Sequence, residues 1–117
     1  MIKEYDGNVD FVFMFVNPFD KVWTKEYFKH FNRNPLDDPR QVKSPKLLRY
    51  FLRSVAKNMP WISKMHMVVA CPTQVPSWIN RDTINVVFHK DIIPERWLPT
   101  FNLTSISRFV NSIPDLA

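Results

Sequence analysis

Val9-Asp10-Phe11-Val12-Phe13-Met14-Phe15-Val16 is apolar at every position except Asp10 and is closed at once by Asn17-Pro18. It is too short for an amphipathic helix. It does not alternate as a half-exposed strand would, so it suits a strand with both faces buried in a parallel sheet. We read it as the first central strand.

Working outward, Asp20 can cap a helix on which Trp23, Tyr27, Phe28 and Phe31 fall to one side. The polar stretch from Asn32 to Val42 then reads as a surface loop. Ser44-Pro45 is a helix start, because Ser caps free amides and Pro at the first position loses no needed hydrogen bond. Leu48, Phe51, Leu52 and Val55 follow at i, i+3, i+4 and i+7, and Asn58 with Pro60 ends the pattern. Met65 to Ala70 and Ile84 to Phe88 read as two more strands, separated by Pro72, Pro76 and Pro-Ser-Trp-Ile. A last helix carries Ile106, Phe109, Val110 and Ile113, starting near Asn102 or Thr104 and stopping at Pro114. The order β-α-α-β-β-α predicts an α/β layer structure with a mostly parallel, Rossmann-like sheet and flanking helices. Ligands of such sheets bind beyond the carboxyl ends of the strands. That singles out Asn17 to Asp20, Cys71 to Gln74 and His89 to Asp91.

Composition narrows the function classes. The 117 residues are 45% hydrophobic and 15% aromatic, which excludes disorder, and carry a formal charge of +5, which suits an anionic partner. Lys and Arg are dispersed rather than clustered, so nucleic acid is not the expected partner. Cys71 is the single cysteine, which excludes an internal disulfide and a thiolate metal cage. The longest wholly apolar stretch, Phe11 to Val16, is far too short for a transmembrane segment. A single Gly against ten Pro leaves Asn and Asp to make the tight turns.

Several words in the chain are distinctive. Val9-Asp10-Phe11-Val12-Phe13-Met14-Phe15-Val16-Asn17-Pro18-Phe19-Asp20-Lys21-Val22-Trp23 resembles the first conserved block of the Stealth family, roughly I-D-V-V-Y-T-W-V-N-G-x-D-x-x-W. A second match runs from Leu48-Arg49-Tyr50-Phe51-Leu52-Arg53-Ser54 through Pro60-Trp61, Gln74-Val75-Pro76-Ser77-Trp78-Ile79, His89-Lys90-Asp91-Ile92 and Leu98-Pro99-Thr100-Phe101-Asn102 to Ile113-Pro114. The resemblance implies one partial domain over 1–117, with conserved region 1 at 8–23 and conserved region 2 from 44 to 117. It implies a sugar-1-phosphate transferase that moves the group from a UDP-sugar donor to a glycan hydroxyl, with a divalent metal such as Mg as cofactor. Eukaryotic members resemble Golgi enzymes and bacterial ones serve surface polysaccharides; the chain itself carries no address.

Phosphoryl transfer needs cationic groups or a metal against the diphosphate and a base for the acceptor's proton. Asp10 is the candidate catalytic carboxylate, since a carboxylate in an apolar strand is costly to bury unless it is paired or functional. The candidate substrate-binding residues are Asn17, Asp20, Arg49, Arg53, His89, Asp91 and Asn102. Asn17 can read a uracil or ribose, or make a turn. Asp20 can hold a hydroxyl or metal, though a helix cap needs no further reason. Arg49 and Arg53 match the arginines of the family's L-R-Y-S-L-R-S helix and suit bidentate phosphate contact, or they line a solvated face. His89 and Asp91 match the family's H-E-D triplet, where they can share a metal or donor contact. Asn102 begins a glycosylation sequon, Asn102-Leu103-Thr104, or caps the last helix. Trp61, Trp78, Trp97 and Phe101 are expected mainly as packing residues.

Some positions depart from the family pattern. Ser107 stands where the family's F-N-S-x-A-I-E stretch has a carboxylate, and a hydroxyl is no substitute as base or metal ligand. Lys46 and Leu47 replace acidic or polar residues, and Phe15 and Pro18 replace Trp and Gly. The family also continues past the position of Ala117 into a strand ending in L-N-D-D, which brings metal-binding acids. The expectation is an amino-terminal portion that is inactive alone, the alternative being a non-catalytic or degenerate fragment that binds nucleotide-sugar or carbohydrate.

Overall fold

A computed structural model describes residues 9–37, 46–114 and 116 of the chain. The Ser44-Pro45 helix start and positions 38–42 of the predicted loop lie outside them. The order is β1 (Phe11–Met14), α1 (Lys21–Phe31), α2 (Leu47–Asn58), β2 (Met65–Val69), β3 (Ile84–Phe88), α3 (His89–Ile92) and α4 (Leu103–Ser107). Short 3-10 turns lie at Pro35–Asp37, Pro72–Gln74, Glu95–Trp97 and Val110–Ser112. The three strands form one parallel sheet in the order β1-β2-β3, with Phe13 opposite Met67 and Met67 opposite Val86. The α/β reading holds, and the sheet is Rossmann-like in its parallel strands and flanking helices.

Side-chain alternation divides two cores. Phe11, Phe13 and Phe15 of the first strand, Met67 and Val69 of β2, and Ile84 of β3 face α2 through Leu48 and Leu52. Val12, Met14, Val68 and Val87 face the opposite way, onto Ile92, Ile93, Ile106 and Ile113. β2 is therefore covered on both faces and both edges, which is why Met67, Val68 and Val69 have no exposed surface. The first strand pairs beyond its regular part: the Ser63 amide donates to the Val9 carbonyl and the Phe15 amide to that of Val68.

Asp20 caps α1 as predicted, accepting from the Val22 amide at 3.1 Å. Asn32 closes the helix in the left-handed region at φ 55°, a conformation Asn tolerates better than most residues. The apolar face of α1 is narrower than its sequence suggests. Trp23 and Tyr27 are buried, and Phe31 touches the Tyr27 and Phe101 rings, whereas Phe28 is 52% exposed. One residue is a 100° rotation, which carries Phe28 off the 23-27-31 stripe.

The last helix is shorter than expected. α4 ends at Ser107, and the chain continues as the separate 3-10 turn Val110–Ser112. The Phe109 amide bonds to the Ile106 carbonyl, three residues back, so the coil tightens there. Ser105, Ser107, Asn111 and Ser112 give little helical propensity to resist this. Ile106 and Ile113 still reach the core. The Trp expectation also changes: Trp61, Trp78 and Trp97 are all exposed.

Met67→Ala should destabilise the chain by about 2–5 kcal/mol, because the cavity opens at the centre of the sheet. Phe28→Ala should cost less than about 1 kcal/mol, since half of its ring is already in water. Urea denaturation of the two variants checks this ranking.

Candidate functional site

The loop after β1 meets the loop after β2 through one buried side chain. Gln74 is 1% exposed, and its Oε1 accepts the Asn17 amide N–H. Its Nε2 donates to the Asn17 carbonyl at 3.2 Å and to Asp20 Oδ2 at 2.8 Å. Thr73 Oγ1 donates to the same carboxylate oxygen at 2.7 Å. A buried amide must satisfy both of its ends, and here it does so by tying the carboxyl end of β1 to that of β2. Sequence reasoning placed Gln74 in the right loop without giving it a role, because a single polar residue among loop residues leaves no periodic signal. Its place within the Gln-Val-Pro-Ser-Trp-Ile word was the only hint.

Beside this clasp lies a cavity of about 600 Å³, lined by Asn17, Thr73 to Trp78, and by Lys46, Arg49 and Tyr50 from the start of α2. The amino terminus of α2 opens here, and its helix dipole adds positive potential to that of Lys46 and Arg49. The Arg49 guanidinium lies over the Trp78 ring, 4.8 Å from its centroid. Stacking fixes the plane of the guanidinium and leaves its edge donors for an anion. The cavity thus offers two cations, a helix terminus and aromatic surface at the carboxyl ends of two parallel strands. That combination suits a phosphate-bearing ligand with a flat ring.

The predicted site residues do not all meet there. Asn17 and Arg49 line the cavity, whereas Arg53, one turn further along α2, is exposed outside it. Asn17 Oδ1 accepts from the Phe19 amide at 3.0 Å, so part of its role is to shape the turn. Both carboxylate oxygens of Asp20 are engaged, one by the helix cap and one by Thr73 and Gln74. Asn102 caps α4, accepting from the Thr104 amide at 2.9 Å. Asp91 accepts from the Phe88 amide at 3.1 Å across the single turn of α3 and is exposed, whereas His89 is buried.

Asp10 lies at the other end of the sheet. It precedes β1, roughly 13 Å from Met14 at about 3.3 Å per residue. Its Oδ2 is 2.8 Å from His66 Nε2, and His66 Nδ1 is 3.0 Å from Asn85 Nδ2. With the Asn85 amide donating to Nδ1, the ring proton sits on Nε2 and points at the carboxylate. The register explains the triad, because His66 lies opposite both Val12 and Asn85 on one sheet face. The structure therefore gives Asp10 a pairing role at the amino end of the strands.

His89 follows β3 and lines a second, smaller cavity of about 360 Å³ with Trp23, Cys71 and Phe101. Burial lowers its pKa from 6.5 to about 4, so the imidazole is neutral at physiological pH. Among the described residues, no three His, Cys, Asp or Glu side chains converge as a metal site. The described residues thus offer no ready set of ligands for the magnesium that the resemblance implies.

Fold and cavity together define an α/β protein with a cleft lined by Lys46 and Arg49 at the carboxyl edge of a parallel sheet. Residues 41–117 match the family described as Stealth protein CR2, conserved region 2, and the chain belongs to the Stealth family. The capsular polysaccharide phosphotransferase LcbA of Aeromonas hydrophila is 36% identical over 121 residues, covering 96% of this chain and 33% of LcbA. The exopolysaccharide phosphotransferase cps2G of Lactiplantibacillus plantarum is 30% identical, covering 94% of this chain and 33% of cps2G. The capsular polysaccharide phosphotransferase WcwK of Streptococcus pneumoniae is 31% identical, covering 95% and 35% respectively. The chain spans about a third of the length of these curated relatives. No helix among the described residues is long and apolar enough to cross a membrane.

The depressed pKa of His89 has a measurable consequence. Between pH 6.5 and 4 the unfolded chain binds a proton at this position that the folded chain does not, so stability falls as pH falls through that window. Urea denaturation at pH 7 and pH 4.5 should show a loss on the order of 2 kcal/mol that is absent from His89→Gln. Parallel pH curves for the two proteins would contradict the assignment.

Proposed function

We propose that this chain supplies the donor-binding part of a sugar-1-phosphate transferase acting on polysaccharide, and that the larger cavity receives a UDP-sugar. The observation that carries the reading is Arg49, held over Trp78 beside Lys46 and the amino terminus of α2. The diphosphate lies against these groups, which offset its charge in the ground state and as charge builds on the leaving phosphate. Trp78 and Tyr50 offer flat surface to the uracil, and Asn17 offers its amide. Names of the matched relatives support the phosphotransferase class, and the resemblance alone supports the UDP-sugar donor and the magnesium.

A second reading, a binding module without turnover, is favoured by one feature: Ser107, on the exposed end of α4, stands where the family pattern has a carboxylate. Both readings require nucleotide-sugar binding, and only the first requires UMP release in the presence of an acceptor glycan.

Isothermal titration with UDP-N-acetylglucosamine should show saturable binding that weakens at least tenfold in Arg49→Ala, as expected for a lost charge-assisted contact of about 1.5–3 kcal/mol. Arg53→Ala should change the affinity less than threefold. Equal effects of the two substitutions, or no binding by the unaltered chain, would refute the assignment of the cavity.

A further inference from the structure

The second cavity has a chemistry of its own. It lies at the carboxyl ends of β2 and β3, walled by Trp23 and Phe101 and edged by Glu26 and Glu95. Ring faces and edges beside carboxylates suit a sugar, whose C–H surface packs on aromatics while its hydroxyls donate to carboxylate oxygens. At its base is His89, 6% exposed, whose imidazole has no hydrogen-bond partner among the described residues. An imidazole beside a cavity can give or accept a hydrogen bond there.

The two cavities share a wall. Thr73 lines the larger and Cys71 the smaller, and Cys71 Sγ lies 3.1 Å from Thr73 Oγ1.

We infer that the smaller cavity is the acceptor-sugar subsite and that His89 takes the proton from the attacking hydroxyl. This rests on the reading of the larger cavity as the donor site. The acceptor oxygen forms a bond to the sugar-bearing phosphorus. The bond from that phosphorus to the oxygen bridging the diphosphate breaks, and its electron pair leaves with UMP. The hydroxyl proton passes to the free imidazole nitrogen. A neutral His89 is in the right state to accept it, and the negative diphosphate across the shared wall raises its proton affinity. Glu26, Glu95, Lys90 and Cys71 line the same cavity as His89.

The test uses the whole chain labelled with ¹⁵N at histidine and tryptophan. Lactose, maltose and diacetylchitobiose are titrated separately from UDP-N-acetylglucosamine. At least one disaccharide should move the indole signal of Trp23 and shift the unprotonated ring nitrogen of His89 upfield, the signature of accepting a hydrogen bond, with Trp78 unmoved. Glu26→Gln with Glu95→Gln should weaken that disaccharide at least fivefold and leave UDP-N-acetylglucosamine affinity within twofold. UDP-N-acetylglucosamine that moves Trp78 while no disaccharide reaches His89, or a disaccharide that moves Trp78 instead, overturns the acceptor subsite and leaves the donor reading standing. Disaccharide shifts at His89 without UDP-sugar shifts at Trp78 uphold the sugar subsite, remove the donor reading and take the proton-transfer role with it.

Discussion

The complete burial of β2 is the constraint on which the rest depends. Its residues Met67, Val68 and Val69 are covered by β1 and β3 at the edges, by α2 on one face and by Ile92, Ile106 and Ile113 on the other. A strand enclosed on four sides fixes the register of both neighbours, because a slip of one residue would turn the phenylalanines of β1 away from α2. It also fixes where the chain leaves the sheet. The loops after β1, β2 and β3 emerge together at one edge, where residues of α1 and α2 join them in lining the two cavities.

The amino end of the sheet and the carboxyl end use polar groups differently. At the amino end, His66 joins Asp10 through Nε2 and Asn85 through Nδ1 inside the fold. At the carboxyl end, Gln74 consumes its hydrogen bonds in joining two loops, which frees neighbouring groups to face cavities. Among the described residues, Arg49 is steadied by the Trp78 ring. His89 is held neutral by burial. The chain that carries these groups belongs to a family whose matched relatives are named polysaccharide phosphotransferases.

Much of the fold was legible because its signals are local. The two-sided apolar run at Phe11 to Val16, the Asp20 cap and the Leu48-Leu52-Val55 stripe each follow from spacing or one side chain. The end of α4 was less legible, since an i, i+3, i+4, i+7 stripe places Ile106 and Ile113 equally well on a helix or on a helix broken into a 3-10 turn. The site was partly legible. Asn17 follows from loop position and the family words and Arg49 from the family words alone, but the separation of Arg53 from Arg49 needs the direction in which α2 meets the loops. Asp10 shows the limit most clearly. A buried carboxylate signals pairing or chemistry, and only the register with His66 reveals which end of the strand it serves.

The central claim is that the cleft at the carboxyl ends of β1 and β2 holds the nucleotide. Photolabelling with a UDP analogue carrying an azide on the uracil ring, followed by peptide mass spectrometry, tests it directly. The account predicts adducts within Lys46 to Tyr50 or Thr73 to Trp78 that excess UDP-N-acetylglucosamine suppresses. Adducts around Asp10 and His66, or labelling that the competitor leaves unchanged, would contradict it.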